Sequence, residues 1–209
     1  TCNDTGRSLG LKKNIRKTMK IILEENKTYL DVNQINGRYF VYGLAAGSLT
    51  DISYGTDYRM KKRFGRFAYY LQAVKSVGKD RSISIRIQAD GKEIVGKYFL
   101  FLATNSRYLA SFKLHRKKQI YLDEGKLHIT LIRKKNRWIN TLDMAFFLLL
   151  GERYTHNIEH FEAKNIVITS SDAICYNTDG ESFPEMRRIE VTVLPEQIEV
   201  IVSKRVLKK

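Results

Sequence analysis

The residues Asn177-Thr178-Asp179-Gly180-Glu181 set two carboxylates astride a glycine, in a chain whose 37 Lys and Arg outnumber its 22 Asp and Glu for a formal net charge of +15. If the segment is extended, residues two apart point to one side, so Asp179 and Glu181 would address a single spot. Like charges that close repel, which makes one member of the pair a better proton acceptor and suits it to general-base chemistry. The same residues contain Asp-Gly, the commonest two-residue hairpin signal, so a plain turn stands beside the site reading. Asp123-Glu124-Gly125-Lys126 is a second acidic turn. It offers a hard cation one carboxylate, backbone carbonyls and water, or it is simply a turn.

Composition narrows the chemistry. The 209 residues, 43% of them hydrophobic, suffice for one good-sized domain, or for one domain and part of another. Neither Gly-x-x-x-x-Gly-Lys nor Gly-x-Gly-x-x-Gly occurs, and no nucleophile-elbow pattern is present. His156 and His160 lie four apart without a third ligand nearby, which argues against zinc. The 2 cysteines, Cys2 and Cys175, form no Cys-x-x-Cys pair, so a disulfide framework is not expected and a reducing, cytoplasmic setting is. No signal-peptide pattern is visible, and the longest apolar run, Met144 to Leu150, is far short of the roughly 20 residues of a membrane span. A first residue of Thr1 rather than Met suggests further residues upstream. The excess basicity calls for a polyanionic partner: nucleic acid, nucleotide phosphate or an anionic membrane. Lys113 to Lys118, Arg133 to Arg137 and Lys204 to Lys209 are scattered, with no recognition-helix or RNA-platform motif, so specific nucleic-acid binding is not expected.

The elements that must position these groups are mostly strands. Residues 7 to 26 carry Leu9, Leu11, Ile15, Met19, Ile22 and Leu23 at helical spacing, which predicts a helix. Tyr29-Leu30-Asp31-Val32 and Arg38 to Tyr42 flank Asn36-Gly37 and predict a hairpin. Met60, Phe64, Phe67, Leu71 and Val74 predict a helix over 57–75; Arg59, Lys62, Arg63 and Arg66 fall on a neighbouring face, as a solvated surface or a contact for lipid headgroups or phosphate. Short β-branched or aromatic runs follow at 82–89, 94–103, 127–132, 165–169, 173–176, 189–193 and 198–202, with a second helix at 140–150. The expected class is mainly β (α+β), an all-β sandwich or barrel behind an N-terminal helix.

Taken in order, these segments resemble the C-terminal two-thirds of the bacterial diacylglycerol kinase family of lipid kinases, the group that includes related lipid and sphingosine kinases. Thr1-Cys2-Asn3-Asp4 followed by Arg7-Ser8-Leu9 is similar to the family's Gly-Thr-x-Asn-Asp-x-x-Arg-x-Leu element, entered just after its glycine. Asp31 and Asn36 to Phe40 resemble the entry to the second domain, and Arg59 to Leu71 the basic helix ending in Gly-Arg-x-Ala-Tyr. Asp123 to Leu127 stands where the family has Asp-Asp-Gly, and Asp179-Gly180-Glu181 matches its late Asp-Gly-Glu. Two departures stand out: a basic stretch at Leu114 to Lys118 where the family has a Pro-Asp-Ala-like segment, and Glu124 in place of the usual Asp.

The resemblance implies that residues 1–27 end an α/β nucleotide-binding domain and that 28–209 form a two-sheet β-sandwich, with the last strands returning toward the first part. It implies that Glu181, assisted by Asp179, deprotonates a lipid hydroxyl for attack on the γ-phosphate of ATP, and that Thr1, Asn3 and Asp4 lie at the nucleotide. It also implies a structural Mg²⁺ on Glu124, Asp123 and the backbone carbonyls of Tyr121 and Lys126. A peripheral protein on the inner face of the membrane, with pairing of sheet edges into a homodimer, fits the same picture. The nucleotide cradle being absent from these residues, the 209-residue chain alone is expected to be inactive. The rival is a non-catalytic basic β-domain that binds anionic membrane or nucleic acid.

Overall fold

The computed structural model describes residues 4–48, 82–109, 112–115, 123–154 and 156–207. The expected helix at 57–75, with Arg59, Lys62, Arg63 and Arg66, lies outside them, as do Thr1, Asn3 and Tyr121. Strands dominate: β1 (Lys27–Ile35), β2 (Arg38–Phe40), β3 (Gly43–Gly47), β4 (Ile83–Ala89), β5 (Lys92–Thr104), β6 (Tyr108–Leu109), β7 (Phe112–Lys113), β8 (Leu127–Arg133), β9 (Ile158–Ala163), β10 (Asn165–Thr178) and β11 (Glu181–Ile201). Helices α1 (Asp4–Ser8) and α2 (Ile15–Leu23) precede them, and α3 (Arg137–Leu150) joins β8 to β9.

The two layers expected of a sandwich are parts of one hydrogen-bonded sheet, in the order β2-β1-β11-β10-β3-β5-β8-β9, with β4 also between β10 and β5. β3 pairs with residues 104 to 100 of β5 and β4 with residues 98 to 92, so β3 and β4 run end to end as two pieces of a single strand position. The long flanking strands β5 and β10 each pair with both pieces. Opposite the break, β10 carries extra residues between Thr169 and Ile174, a bulge of the kind that lets one strand bend from layer to layer. The sheet thereby wraps one core that includes Ile35, Phe40, Leu44, Ile87, Phe101, Leu131, Ile168, Tyr176 and Val191. β4 alternates buried and exposed along its whole length, as a strand with one wet face must.

A second cluster lies on the outer side of β5 and β8, where Met144, Phe147 and Leu148 of α3 cover Phe99, Leu100, Leu102 and Ile132. This cover is why the C-terminal half of β5 is buried on both faces. Asn136 caps α3 by accepting from Ile139 N at 2.9 Å. Asp143, the helix's sole carboxylate, is buried and accepts from the Tyr154 hydroxyl (2.7 Å) and Asn157 Nδ2 (2.9 Å), with His156 Nδ1 at 2.9 Å. Burial, reinforced by that carboxylate, pushes the Tyr154 hydroxyl up to about 12, so it stays a donor.

The single N-terminal helix expected over 7–26 is two helices. The chain turns at Gly10, where φ is +75 and an added Cβ would come within 2.7 Å of Ser203 Cβ. Only glycine satisfies both the backbone and the space. Ser203 N donates to Leu9 O at 2.9 Å and Val202 N to Asn26 O at 2.8 Å, which ties the end of the last strand to the N-terminal helices.

At the far end of the core the β4–β5 turn is locked by Asp90, whose carboxylate accepts from Lys164 N (2.7 Å) and Asn165 N (2.9 Å). Burial works against its charge, but those N–H donors prevail and hold the carboxyl below its ordinary 3.8. A group with a depressed folded value contributes stability that is complete above 3.8 and is lost as pH falls through that lower value. Asp90→Ala is therefore expected to lower stability by about 1 kcal/mol at pH 7, and by less once the pH falls below 3.8, in paired urea titrations of the two chains. A deficit independent of pH would contradict this assignment.

Candidate functional site

Asp179 and Gly180 form the two-residue turn between β10 and β11, with φ of +53 and +92, and Thr178 pairs directly with Glu181 across it. The premise of an extended segment with both carboxylates on one face does not hold. The hairpin and the acidic motif are one feature. Asn177, mostly buried, accepts Gly180 N on Oδ1 at 3.0 Å and braces the turn.

The two acids are used differently. Asp179 folds back over the segment that leads from β2 into β3: Oδ2 accepts from Val41 N at 2.8 Å, and Oδ1 accepts from Tyr42 N at 2.7 Å and Gly43 N at 2.9 Å. Its own N–H donates to Gly43 O at 2.9 Å. Glu181, the first residue of β11, is exposed, and its side chain makes no hydrogen bond or ion pair among the described residues. One acid is committed to backbone, and the other faces water.

The segment gripped by Asp179 leads to the N-terminus. The Tyr42 hydroxyl lies 2.9 Å from Oδ2 of Asp4 and 2.6 Å from the carbonyl oxygen of Tyr108, with one proton to share between them. Asp4 is buried in the first turn of α1, 3.9 Å from the Arg7 guanidinium, which stacks over the Tyr108 ring at 4.2 Å. The structure thus brings together Asp4 and Asp179, two of the residues singled out in the sequence, through Tyr42. Tyr42 and Tyr108 carry no signal in the sequence beyond being aromatic, because their role depends on contacts 38 and 66 residues apart.

The acidic turn at 123–126 is built around a different residue. Asp31 is fully buried where the β1–β11 register slips between Leu30 and Val32. Its carboxylate accepts from Gly125 N at 2.6 Å and Glu196 N at 2.9 Å, joining that turn to β11. Burial pushes this carboxyl above its ordinary value; the two N–H donors counter that, and Asp123 and Glu196 add repulsion. Glu124, expected as a metal ligand, instead places Oε2 3.0 Å from Nε2 of His128, itself packed on His115 at 4.9 Å between ring centres. Lys126 lies 3.7 Å from Glu162. Among the described residues no group of three or more His, Cys, Asp or Glu is placed to hold a metal. Of the expected ligands, Glu124 is thus in contact with His128, while Tyr121 lies outside the described residues.

Comparisons with known proteins bear on what this geometry serves. Residues 52–202 match the profile of the YegS C-terminal NAD kinase β-sandwich-like domain. A diacylglycerol kinase of Staphylococcus haemolyticus is 30% identical over 185 residues, 87% of this chain and 54% of that protein. That of Staphylococcus carnosus is 29% identical over 185 residues, 87% of this chain and 59% of that protein. The chain thus spans little more than half the length of these relatives. A solved structure from Bacillus anthracis, given the provisional name of diacylglycerol kinase, shares 26% identity with a TM-score of 0.79, covering 99% of this chain and 67% of its own.

The unequal use of the two acids is measurable in stability. Asp179→Ala strands as many as three backbone donors and is expected to cost about 2 kcal/mol, with Asp179→Asn intermediate, whereas Glu181→Gln should change stability by less than about 0.5 kcal/mol. Urea denaturation of the three variants checks this. Equal effects of Asp179→Ala and Glu181→Gln would contradict the division.

Proposed function

The chain belongs to the YegS C-terminal NAD kinase β-sandwich-like domain family, and from that premise we propose that it is the lipid-side part of an ATP-dependent lipid kinase acting on diacylglycerol or a related lipid alcohol. The relatives named diacylglycerol kinase support the reaction class. One observation carries the choice of residues: at the β10–β11 turn a tethered Asp179 stands two residues from an unengaged, exposed Glu181.

In this reading Glu181 is the general base. As the lipid hydroxyl oxygen attacks the γ-phosphorus, its proton passes to the Glu181 carboxylate; the new O–P bond forms while the bond from the γ-phosphorus to the β,γ-bridging oxygen breaks, leaving its electrons on ADP. Asp179 is a positioning residue rather than a second base, since its oxygens hold the backbone that sets the turn. Asp4, with Tyr42 and Arg7, seats α1 beside that turn, and Thr1, Asn3 and Asp4 are the residues that would meet nucleotide.

The phosphate cradle falls to residues preceding Thr1, a reading supported by the lack of a glycine-rich loop in these 209 residues and by the coverage of 54% and 59% of the two relatives. Magnesium bound with ATP would neutralise phosphate charge. Work at the inner membrane face, with Arg59, Lys62, Arg63 and Arg66 toward lipid headgroups, fits the charge of +15. Among the described residues β2 and β9 are the outer strands, and a second copy would pair at those edges.

The test is transfer of labelled phosphate from ATP to diacylglycerol in vesicles, by the polypeptide that includes the residues before Thr1. Glu181→Gln is expected to lower kcat by about a hundredfold or more with its denaturation midpoint unchanged. Residues 1–209 alone should transfer none. Full activity in Glu181→Gln, or lipid phosphorylation by the 209-residue chain, would overturn the proposal.

A further inference from the structure

Asn105 carries an amide that the fold does not use. It follows the last residue of β5 and is only 3% exposed, yet its Nδ2 has no hydrogen-bond partner among the described residues. The hydroxyls on either side are both engaged. That of Thr104 donates to Tyr42 O at 2.8 Å and accepts from Ser106 N at 2.9 Å. That of Ser106 accepts from Tyr108 N at 3.2 Å and lies 3.2 Å from the Ser8 hydroxyl of α1. A buried donor left unmade costs stability, and an apolar side chain of similar size would sit there without that cost. Folding therefore gives no reason for an asparagine at this position, and a buried donor kept without a partner calls for one from outside the chain.

Its position separates Asn105 from the unpaired hydroxyls of Tyr98 and Tyr176, which belong to the apolar core. Thr104 pairs with Gly43 across β3 and β5. Gly43 in turn exchanges two hydrogen bonds with Asp179, Gly43 N to Oδ1 and Asp179 N to Gly43 O, each 2.9 Å. On one side, then, Asn105 adjoins a residue one strand away from the turn that carries Glu181. On the other side Ser106 touches Ser8 of α1, the helix of Asp4 and Arg7. In the reaction proposed above the phosphoryl group leaves the nucleotide and arrives at the oxygen that Glu181 activates, so it is the group common to both sides. An amide N–H suits a phosphate oxygen, because the bond has a charged acceptor and the donor brings no charge of its own to desolvate. Turning χ2 exchanges the two ends of the amide in nearly the same space, so the donor can face a ligand without movement of the backbone.

We propose that Asn105 is a substrate-binding residue whose amide donates to an oxygen of the transferred phosphate, carried by the nucleotide before transfer and by the lipid after it. The amide stays neutral and no proton leaves it. This assignment rests on the kinase reading of the Asp179–Glu181 turn, and its test includes binding measurements that do not depend on turnover.

In the polypeptide that includes the residues before Thr1, Asn105→Leu should lower kcat for labelled-phosphate transfer to diacylglycerol by roughly tenfold or more, while its urea midpoint stays level or rises. Calorimetry locates the phosphate. Weaker binding of adenylyl imidodiphosphate, an ATP analogue that keeps its γ-phosphate, with Mg-ADP binding unchanged, places the contact on the nucleotide. Weaker binding of vesicles containing phosphatidic acid places it on the lipid. In the unaltered polypeptide one or other of these ligands should shift the side-chain amide signal of Asn105 in heteronuclear NMR, a readout that needs no variant to fold. Absence of phosphate transfer by the unaltered polypeptide would refute the kinase reading, while the Asn105 assignment would still be decided by phosphate binding. Full kcat in Asn105→Leu with phosphate binding unchanged would overturn the proposal and leave water as the partner of the amide. So would an Asn105 signal that responds to neither ligand.

Discussion

The grip of the Asp179 carboxylate on the backbone of residues 41–43 is the constraint from which the rest of the site follows. A β-turn at the end of a long hairpin is ordinarily free to splay. Here three N–H groups of another strand junction fasten it, and a charged acceptor makes each of those bonds stronger than a neutral one. Tyr42, held in the middle of that junction, reaches Asp4 in the opposite direction. Two regions more than 170 positions apart in sequence are thus joined through one tyrosine, and the Glu181 side chain is left at the margin with no hydrogen bond or ion pair within the described residues.

The sheet makes this junction possible. Because β3 and β4 share one strand position, β5 and β10 must be long enough to flank both pieces, and the bulge opposite the break lets β10 curve. β3 sits between the C-terminal halves of β5 and β10, so its beginning at Gly43 falls beside the β10–β11 turn. Asp90 and Asp31 repeat the device at other corners, each using one carboxylate to bind two amides far away in sequence. A small sandwich with few prolines fixes its turns by charge-to-amide contacts instead.

What could be read in the sequence follows from what is local. The strands at 83–89, 92–104 and 127–133 announced themselves through β-branched and aromatic runs, and the ordered acidic motifs were enough to identify the family. β3 was invisible, because Gly43-Leu44-Ala45-Ala46-Gly47 has small residues and no alternation. β10 and β11 each read as two strands, since Ser170-Ser171-Asp172 and Pro195 look like turns but are bulges within one strand. Gly10 split an apparently continuous helix for a reason that lies at Ser203. The separate duties of Asp179 and Glu181 could not be read either: the partners of Asp179 are 136 to 138 residues away, and spacing along the chain says nothing about them. The Glu124–His128 contact spans only four residues and was still not legible, because an acidic turn does not announce which neighbour meets its carboxylate.

The most direct test of the Asp179 constraint is amide hydrogen exchange of Val41, Tyr42 and Gly43, measured by NMR on the unaltered chain at neutral pH. The N–H groups of all three point into a carboxylate, so they should exchange about as slowly as the paired amides of β3, although Val41 and Tyr42 lie outside any strand. Exchange as fast as that of the exposed Gly37 amide in the β1–β2 turn would mean that Asp179 does not hold this backbone, and the account built on it would fail.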